Sequence, residues 1–286
     1  MNYPALTRYI QHLQNKLPAN TNLYFDEDGR VHGRFFHARL ASVYQTICSA
    51  NTLEVKACEA YARSVSNEEP GLSIWKLLEN IASDEESVEL DRLCRLLHTI
   101  NYFKQLDNSV KDLYLTVHNR LLVAVAGNHG AAFRRVLESL ELPQQKVILQ
   151  LPRITPSQRW VLSHVAENYR RNGFRIGANA GSLDEAHDLL IRIRPASIKL
   201  DVGLVNEARN FQHLLKNAAE IGTQIVVRKI ETEQSYLSLQ EYYDGTSPFL
   251  VQGYFFDLPK SDTPTRFLAK PKELGLASDA ILALPL

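Results

Sequence analysis

Residues 43–61 read VYQTICSANTLEVKACEAY. Two strand-like runs, 43–48 and 53–61, flank the short polar link SANT at 49–52. A link that short joins antiparallel neighbours, because a parallel pair needs a crossover of about a dozen residues or more. Downstream the pattern changes. Strand-like segments at 113–117, 146–151, 174–178, 197–201, 224–228 and 250–255 alternate with helical periodicity at 86–103, 131–140, 156–171, 183–193, 206–221 and 233–243. Repeated strand–helix units imply a mostly parallel sheet, and their count and length favour closure over an open sheet. The expected fold is α/β, a modified TIM-type (β/α)8 barrel whose first strand runs antiparallel.

Composition sets the outer bounds. The chain has 286 residues, 45% of them hydrophobic and 22% charged, enough to build a sizeable core. Lysine plus arginine equals aspartate plus glutamate at 32 each, so no overall charge draws the chain to duplex nucleic acid or an anionic membrane. The apolar run 121–126 is far shorter than the roughly 20 residues of a membrane helix. The start, MNYPALTRYIQHLQNK, lacks the pattern of a secretion signal. Cys48, Cys58 and Cys94 are odd in number and widely spaced, against a disulfide framework and for a cytoplasmic protein. The nine histidines show no metal spacing such as HExxH.

Upstream of the barrel, Leu6, Tyr9, Ile10, Leu13 and Leu17 recur at helical spacing until Pro18. The stretch 23–40 is Gly-punctuated and basic (RVHGRFFHAR at 30–39) and reads as a small hairpin. Three segments follow: an extension over 1–37, the barrel over 38–260, and a tail over 261–286. Thr155 is placed to cap the helix that Pro156 opens, and Gly173 to close it. Arg153, Arg159, Arg170, Arg171 and Arg175 outnumber Glu167, while five acids crowd 84–91, where a helix dipole favours them.

The words along residues 38–260 resemble the EAL domain family, bacterial cyclic-di-GMP phosphodiesterases and their inactive relatives. Tyr44-Gln45-Thr46-Ile47 stands where the family has QPI, and Glu59-Ala60-Tyr61-Ala62-Arg63 where it has Glu-Ala-Leu with an arginine two places on. Leu90-Asp91-Arg92 is similar to its LDR, Ile198-Lys199-Leu200-Asp201 to IKID, and Ile230-Glu231-Thr232-Glu233-Gln234 to VETEEQ. Gln252-Gly253-Tyr254 with Pro259 is similar to the closing QGY and proline. The order and spacing of these words carry the likeness more than any one of them.

The resemblance also implies what is missing. Active relatives hold two divalent ions at the C-terminal mouth of the barrel. In this chain the family's metal-binding asparagine is Thr116, the glutamate of its ExxE-like word is Gln150, and its DDFG loop is reduced to Ala178-Asn179-Ala180-Gly181. The first glutamate of AEGVE is Arg228, in VRKIE. Only Glu59 and Asp201 of the acidic set stay acidic, and an arginine beside them opposes Mg²⁺. No metal and no cofactor is therefore expected, and no catalytic residue is assigned. Glu59 can pair with Lys199 or Arg228, and Arg228 can serve as counter-ion to Glu59 or Asp201.

The resemblance leads to a degenerate, catalytically inactive regulator acting on a protein partner, such as a transcription or motility regulator, and self-associating as a homodimer. The alternative is a receptor that binds cyclic-di-GMP without metal, through Gln45, Glu59, Arg63, Asn179, Lys199, Asp201, Glu231 and Gln252. A residual phosphodiesterase ranks third. Neither membrane nor direct nucleic-acid binding is expected.

Overall fold

The computed structural model describes residues 3–14, 22–36, 38–64, 83–105, 111–119, 129–153 and 159–263. Helix α1 (Pro4–Gln14) buries Leu6, Ile10 and Leu13 as its spacing predicts, and Leu17 and Pro18 lie outside the described residues. Strands β1 (Leu23–Phe25) and β2 (Val31–Phe35) form the expected hairpin. That hairpin is not free-standing: β2 pairs antiparallel with β3 (Ala38–Ser49), with Gly33 opposite Leu40 and Phe35 opposite Ala38. It therefore extends the barrel sheet.

Strand β3 then pairs with β4 (Val55–Ser64) over most of its length, including Gln45 opposite Glu59. The two strands reach further toward the mouth than the sequence pattern suggested. The turn between them places Leu53 at φ +54, so the second strand starts at Val55 instead of 53. Next come α2 (Asp84–Lys104), β5 (Asp112–Thr116), α3 (His129–Ser139), β6 (Val147–Gln150), α4 (Arg159–Arg171), β7 (Arg175–Ala180), α5 (Leu183–Arg192) and β8 (Ser197–Asp201). The chain continues through α6 (Ala208–Glu220), β9 (Gln224–Arg228), α7 (Glu233–Glu241) and β10 (Leu250–Val251). Strands β4 to β10 run parallel in sequence order, and β3 closes the cylinder by pairing antiparallel with both β4 and β10. The antiparallel opening strand expected from SANT is present.

Local chemistry sets the elements. Ser83 and Glu86 form a reciprocal capping box on α2, and Asp84, Glu85 and Glu86 occupy its first turn. Gly173, at φ +82, ends α4; Thr155 and Pro156 lie outside the described residues. β6 is buried on both faces, as in a sheet with helices outside and side chains within. Ile47, Ala57, Tyr114, Ile148, Val226 and Leu250 form one apolar cluster that plugs the barrel interior.

The last strand is shorter than the expected 250–255. After Val251 the chain folds against the β9 exit, with the Ile230 amide donating to the Gln252 carbonyl and the Phe255 amide to the Ile230 carbonyl. Gly253 makes this possible, since a Cβ there would overlap the backbone of Ile230. Gly253→Ala should lower the Tm by several degrees, a loss of about 1–3 kcal/mol or more. Gly203→Ala, where a Cβ meets nothing within 4 Å, should leave the Tm in place.

Candidate functional site

The plug fixes the next layer. Two residues further along each strand, side chains return to the interior at the mouth: Glu59 after Ala57, Thr116 after Tyr114, Gln150 after Ile148, Arg228 after Val226 and Gln252 after Leu250. On the opposite-running β3 the same step goes from Ile47 back to Gln45.

Glu59 is the hub. Its Oε2 lies 2.8 Å from Lys199 Nζ, accepts from the Tyr61 hydroxyl at 2.5 Å and from Gln252 Nε2 at 2.9 Å. Gln252 Nε2 also donates to Gln45 Oε1 at 3.3 Å, and Gln45 Nε2 to the Asp257 carbonyl at 3.1 Å. Lys199 is fully buried and sits 4.6 Å above the Tyr114 ring. Burial pushes the Glu59 carboxyl up, but the Lys199 ammonium and hydrogen bonds from Lys199, Tyr61 and Gln252 outweigh it and hold the pKa below the ordinary value. For Lys199, burial wins over the attraction of Glu59 and lowers its pKa.

A second cluster sits nearer solvent. Arg228 Nε donates to Asp201 Oδ1 at 2.6 Å, and Lys229 Nζ is 3.0 Å from Asp201 Oδ2. Both carboxylate oxygens are thus held by cations. Burial opposes the charge on Asp201, but the hydrogen bond from Lys229 and the charge of Arg228 prevail and lower its pKa. Lys229 has a left-handed backbone, φ +59, a conformation glycine adopts more readily.

Between β4, β5 and α2 the mouth opens into a cleft of about 350 Å³, lined among others by Glu59, Tyr61, Thr116, Gln150, Asn179 and Arg228. Neither Gln150 Oε1 nor Nε2 has a hydrogen-bond partner among the described residues, although the residue is 1% exposed. Asn179 Nδ2 donates to the Leu151 carbonyl at 2.9 Å, and its Oδ1 has no partner among the described residues. The outer wall is stiffened from α2: Asp91 pairs with Arg95 at 2.6 Å and accepts from the His118 amide at 3.2 Å.

Of the residues expected at a ligand site, Gln45, Glu59, Lys199 and Gln252 form one network, Asp201 joins Arg228, and Asn179 lines the cleft beside Thr116 and Gln150. Arg63 stands exposed on β4 beyond Tyr61, and Glu231 is exposed on the segment before α7. Ala178 points away, into the core outside the sheet. Of the two counter-ions open to Glu59, the fold selects Lys199. The sequence reading left out Lys229, whose adjacency to Arg228 was the available signal, and the hydroxyl of Tyr61 as a donor.

The family model described as EAL domain matches residues 33–259. The chain belongs to the EAL domain family. Comparison with the curated proteins finds no match. Among solved structures, the Bacillus subtilis YkuI protein in complex with c-di-GMP and calcium superposes with TM-score 0.61 at 19% identity, over 79% of this chain and 56% of that one. Klebsiella pneumoniae BlrP1, a manganese and cyclic-di-GMP complex, gives 0.63 at 18% over 77% and 56%. A standalone EAL protein of Vibrio cholerae O395, bound to c-di-GMP, gives 0.58 at 18% over 79% and 95%. The chain spans little over half the length of YkuI and BlrP1.

Divalent ions, which the family implies, do not fit this donor set. Glu59 and Asp201 already serve protein cations, Arg228 adds a positive charge, and the described residues hold no group of three or more His, Cys, Asp or Glu side chains suited to a metal.

The ion pair makes a signed expectation. Lys199→Met strands a buried carboxylate and should cost about 3–5 kcal/mol at neutral pH, whereas Lys199→Met/Glu59→Gln should recover most of it. In the wild type Glu59 has a depressed folded pKa, so its contribution is present above its unfolded pKa and lost as pH falls through the folded value. In Lys199→Met the unpaired carboxyl has a raised pKa, so stability relative to wild type should improve as pH falls. Urea unfolding of the three proteins from about pH 2 to 8 checks both signs.

Proposed function

We propose that this EAL-domain chain does not hydrolyse cyclic-di-GMP and acts as a regulator by binding another protein. One observation carries the reading: both surviving mouth acids are neutralised by the chain's own Lys199, Arg228 and Lys229. Activation of water between two metals needs carboxylates free to hold them. What remains is a rigid barrel with a shaped rim, and function then resides in surfaces instead of the inherited chemistry. Cytoplasmic location and homodimer formation belong to the same proposal. No helix among the described residues is long and apolar enough to cross a membrane.

A second reading, cyclic-di-GMP binding without metal, is favoured by the cleft beside Gln150. Its unpartnered amide can both donate to and accept from a nucleotide, and Arg228 is a cation suited to a phosphate. The named solved neighbours carry c-di-GMP.

Incubation with cyclic-di-GMP and Mg²⁺ or Mn²⁺ should give no linear dinucleotide; turnover that disappears in Glu59→Ala overturns the inactive reading. Calorimetry in EDTA separates the other two. Metal-independent micromolar heat that Gln150→Leu weakens about tenfold supports the receptor, matching the loss of a buried hydrogen-bonding group. No heat leaves the protein-binding reading in front.

A further inference from the structure

The wall above the mouth carries a feature that neither network uses. On β4 the interior-facing positions run Glu59, Tyr61, Arg63, opposite Gln45, Val43 and Ala41 of β3. Continuing outward, the same face of β3 shows Arg39, and directly across from it on β2 stands Arg34. The hairpin thus prolongs the inner face of the barrel beyond its rim and puts Arg34, Arg39 and Arg63 on one side of the sheet. The reverse side is packed: Leu40 is buried, and Gly33 lies against Leu93 of α2.

All three arginines are exposed, and none has an ion-pair partner among the described residues. Arg34 instead lies 5.5 Å from the Tyr24 ring. Like charges directly opposite in an antiparallel pair are destabilising, so the Arg34–Arg39 register is unfavourable in the isolated chain. Beside them Phe36, in the turn between β2 and β3, is 62% exposed with φ +50 and has its ring edge-on to Phe35. An exposed aromatic next to arginines matches the composition of binding hot spots.

We propose that Arg34, Arg39 and Arg63, with Phe36 as apolar anchor, form a docking surface for an acidic, extended segment of a partner protein. Charge complementarity names the occupant, and spacing selects its form. Opposed residues on neighbouring strands are about 5 Å apart at Cβ and diagonal ones about 7–8 Å. Alternate side chains of an extended chain recur every ~6.5–7 Å, so acidic residues at every second position can meet successive guanidiniums. The inference rests on the protein-binding reading and names that partner's chemistry.

The test is fluorescence anisotropy of the full chain with a labelled short peptide alternating Glu and Ser around one central Phe. Arg34→Glu/Arg39→Glu should weaken binding about tenfold or more, as expected for reversing paired charges at an interface. Phe36→Ala should weaken it about fivefold, and only for the Phe-containing peptide. Arg171→Glu, an exposed charge reversal on α4, should change it less than about twofold. A second readout separates binding from structure: Arg34→Glu alone should weaken the peptide while the Tm stays in place, since relief of the Arg39 repulsion offsets loss of the Tyr24 contact. Equal binding by the double variant or equal loss in Arg171→Glu overturns the surface. Displacement of the peptide by cyclic-di-GMP in EDTA overturns the occupant and makes the wall part of a nucleotide site. Turnover that depends on Glu59 would instead overturn the reading beneath it, with the peptide result unaffected.

Discussion

A carboxylate and an ammonium sealed inside the barrel, Glu59 and Lys199, are the constraint to which the mouth is fitted. Neither can be buried alone without a cost of several kcal/mol, and their attraction offsets that cost only if the remaining polar contacts are made. Tyr61, Gln252 and, through it, Gln45 make them on the carboxylate side, and the Tyr114 ring faces the ammonium. Those side chains come from β3, β4, β5, the β10 exit and β8, so the pair ties the antiparallel strand to both its neighbours and to the far wall. The chain turn at Gly253 belongs to the same arrangement, since it delivers Gln252 to the interior immediately after a strand of two residues.

The fold was legible because strand alternation and helix periodicity are local signals. The polar link at 49–52 announced the antiparallel strand, and the repeating units that follow announced closure. The residues of the site were legible only through the family words, and the fold shows why they share a layer: Glu59, Thr116, Gln150 and Arg228 each stand two residues beyond a small, apolar or aromatic plug residue on the same strand. Who pairs with whom was not. From sequence Glu59 had two cations to choose between and Arg228 two anions. Only register and depth decide: Lys199 lies level with Val226 of the plug, while Arg228 lies level with Asp201 at the rim. The end of the last strand was misread because a close approach of two backbones, at Gly253 and Ile230, leaves no mark in hydrophobic periodicity.

Polar groups at this mouth divide into those the fold has consumed and those it has left open. The carboxylates are consumed, each oxygen of Asp201 by a different cation and Glu59 by an ammonium and two hydrogen-bond donors on one oxygen. The amide of Gln150 is open, buried beside a cleft with neither end bonded. A buried unpaired amide is costly, and natural structures keep few of them. Such an amide suits a neutral, hydrogen-bonding occupant, whereas a hard cation needs charge that Glu59 and Asp201 give to Lys199, Arg228 and Lys229.

Arg228 balances the charge at the rim. Where Asp201 faces inward, a half-buried carboxylate needs a cation beside it. The arginine supplies one, with a donor at 2.6 Å. Lys229 then holds the second oxygen, although its left-handed backbone suits glycine better. A strained conformation is kept where it secures something, and here it places a second ammonium on Asp201. Residues 228 and 229 thus act as one unit: together they put a cation on each oxygen of Asp201.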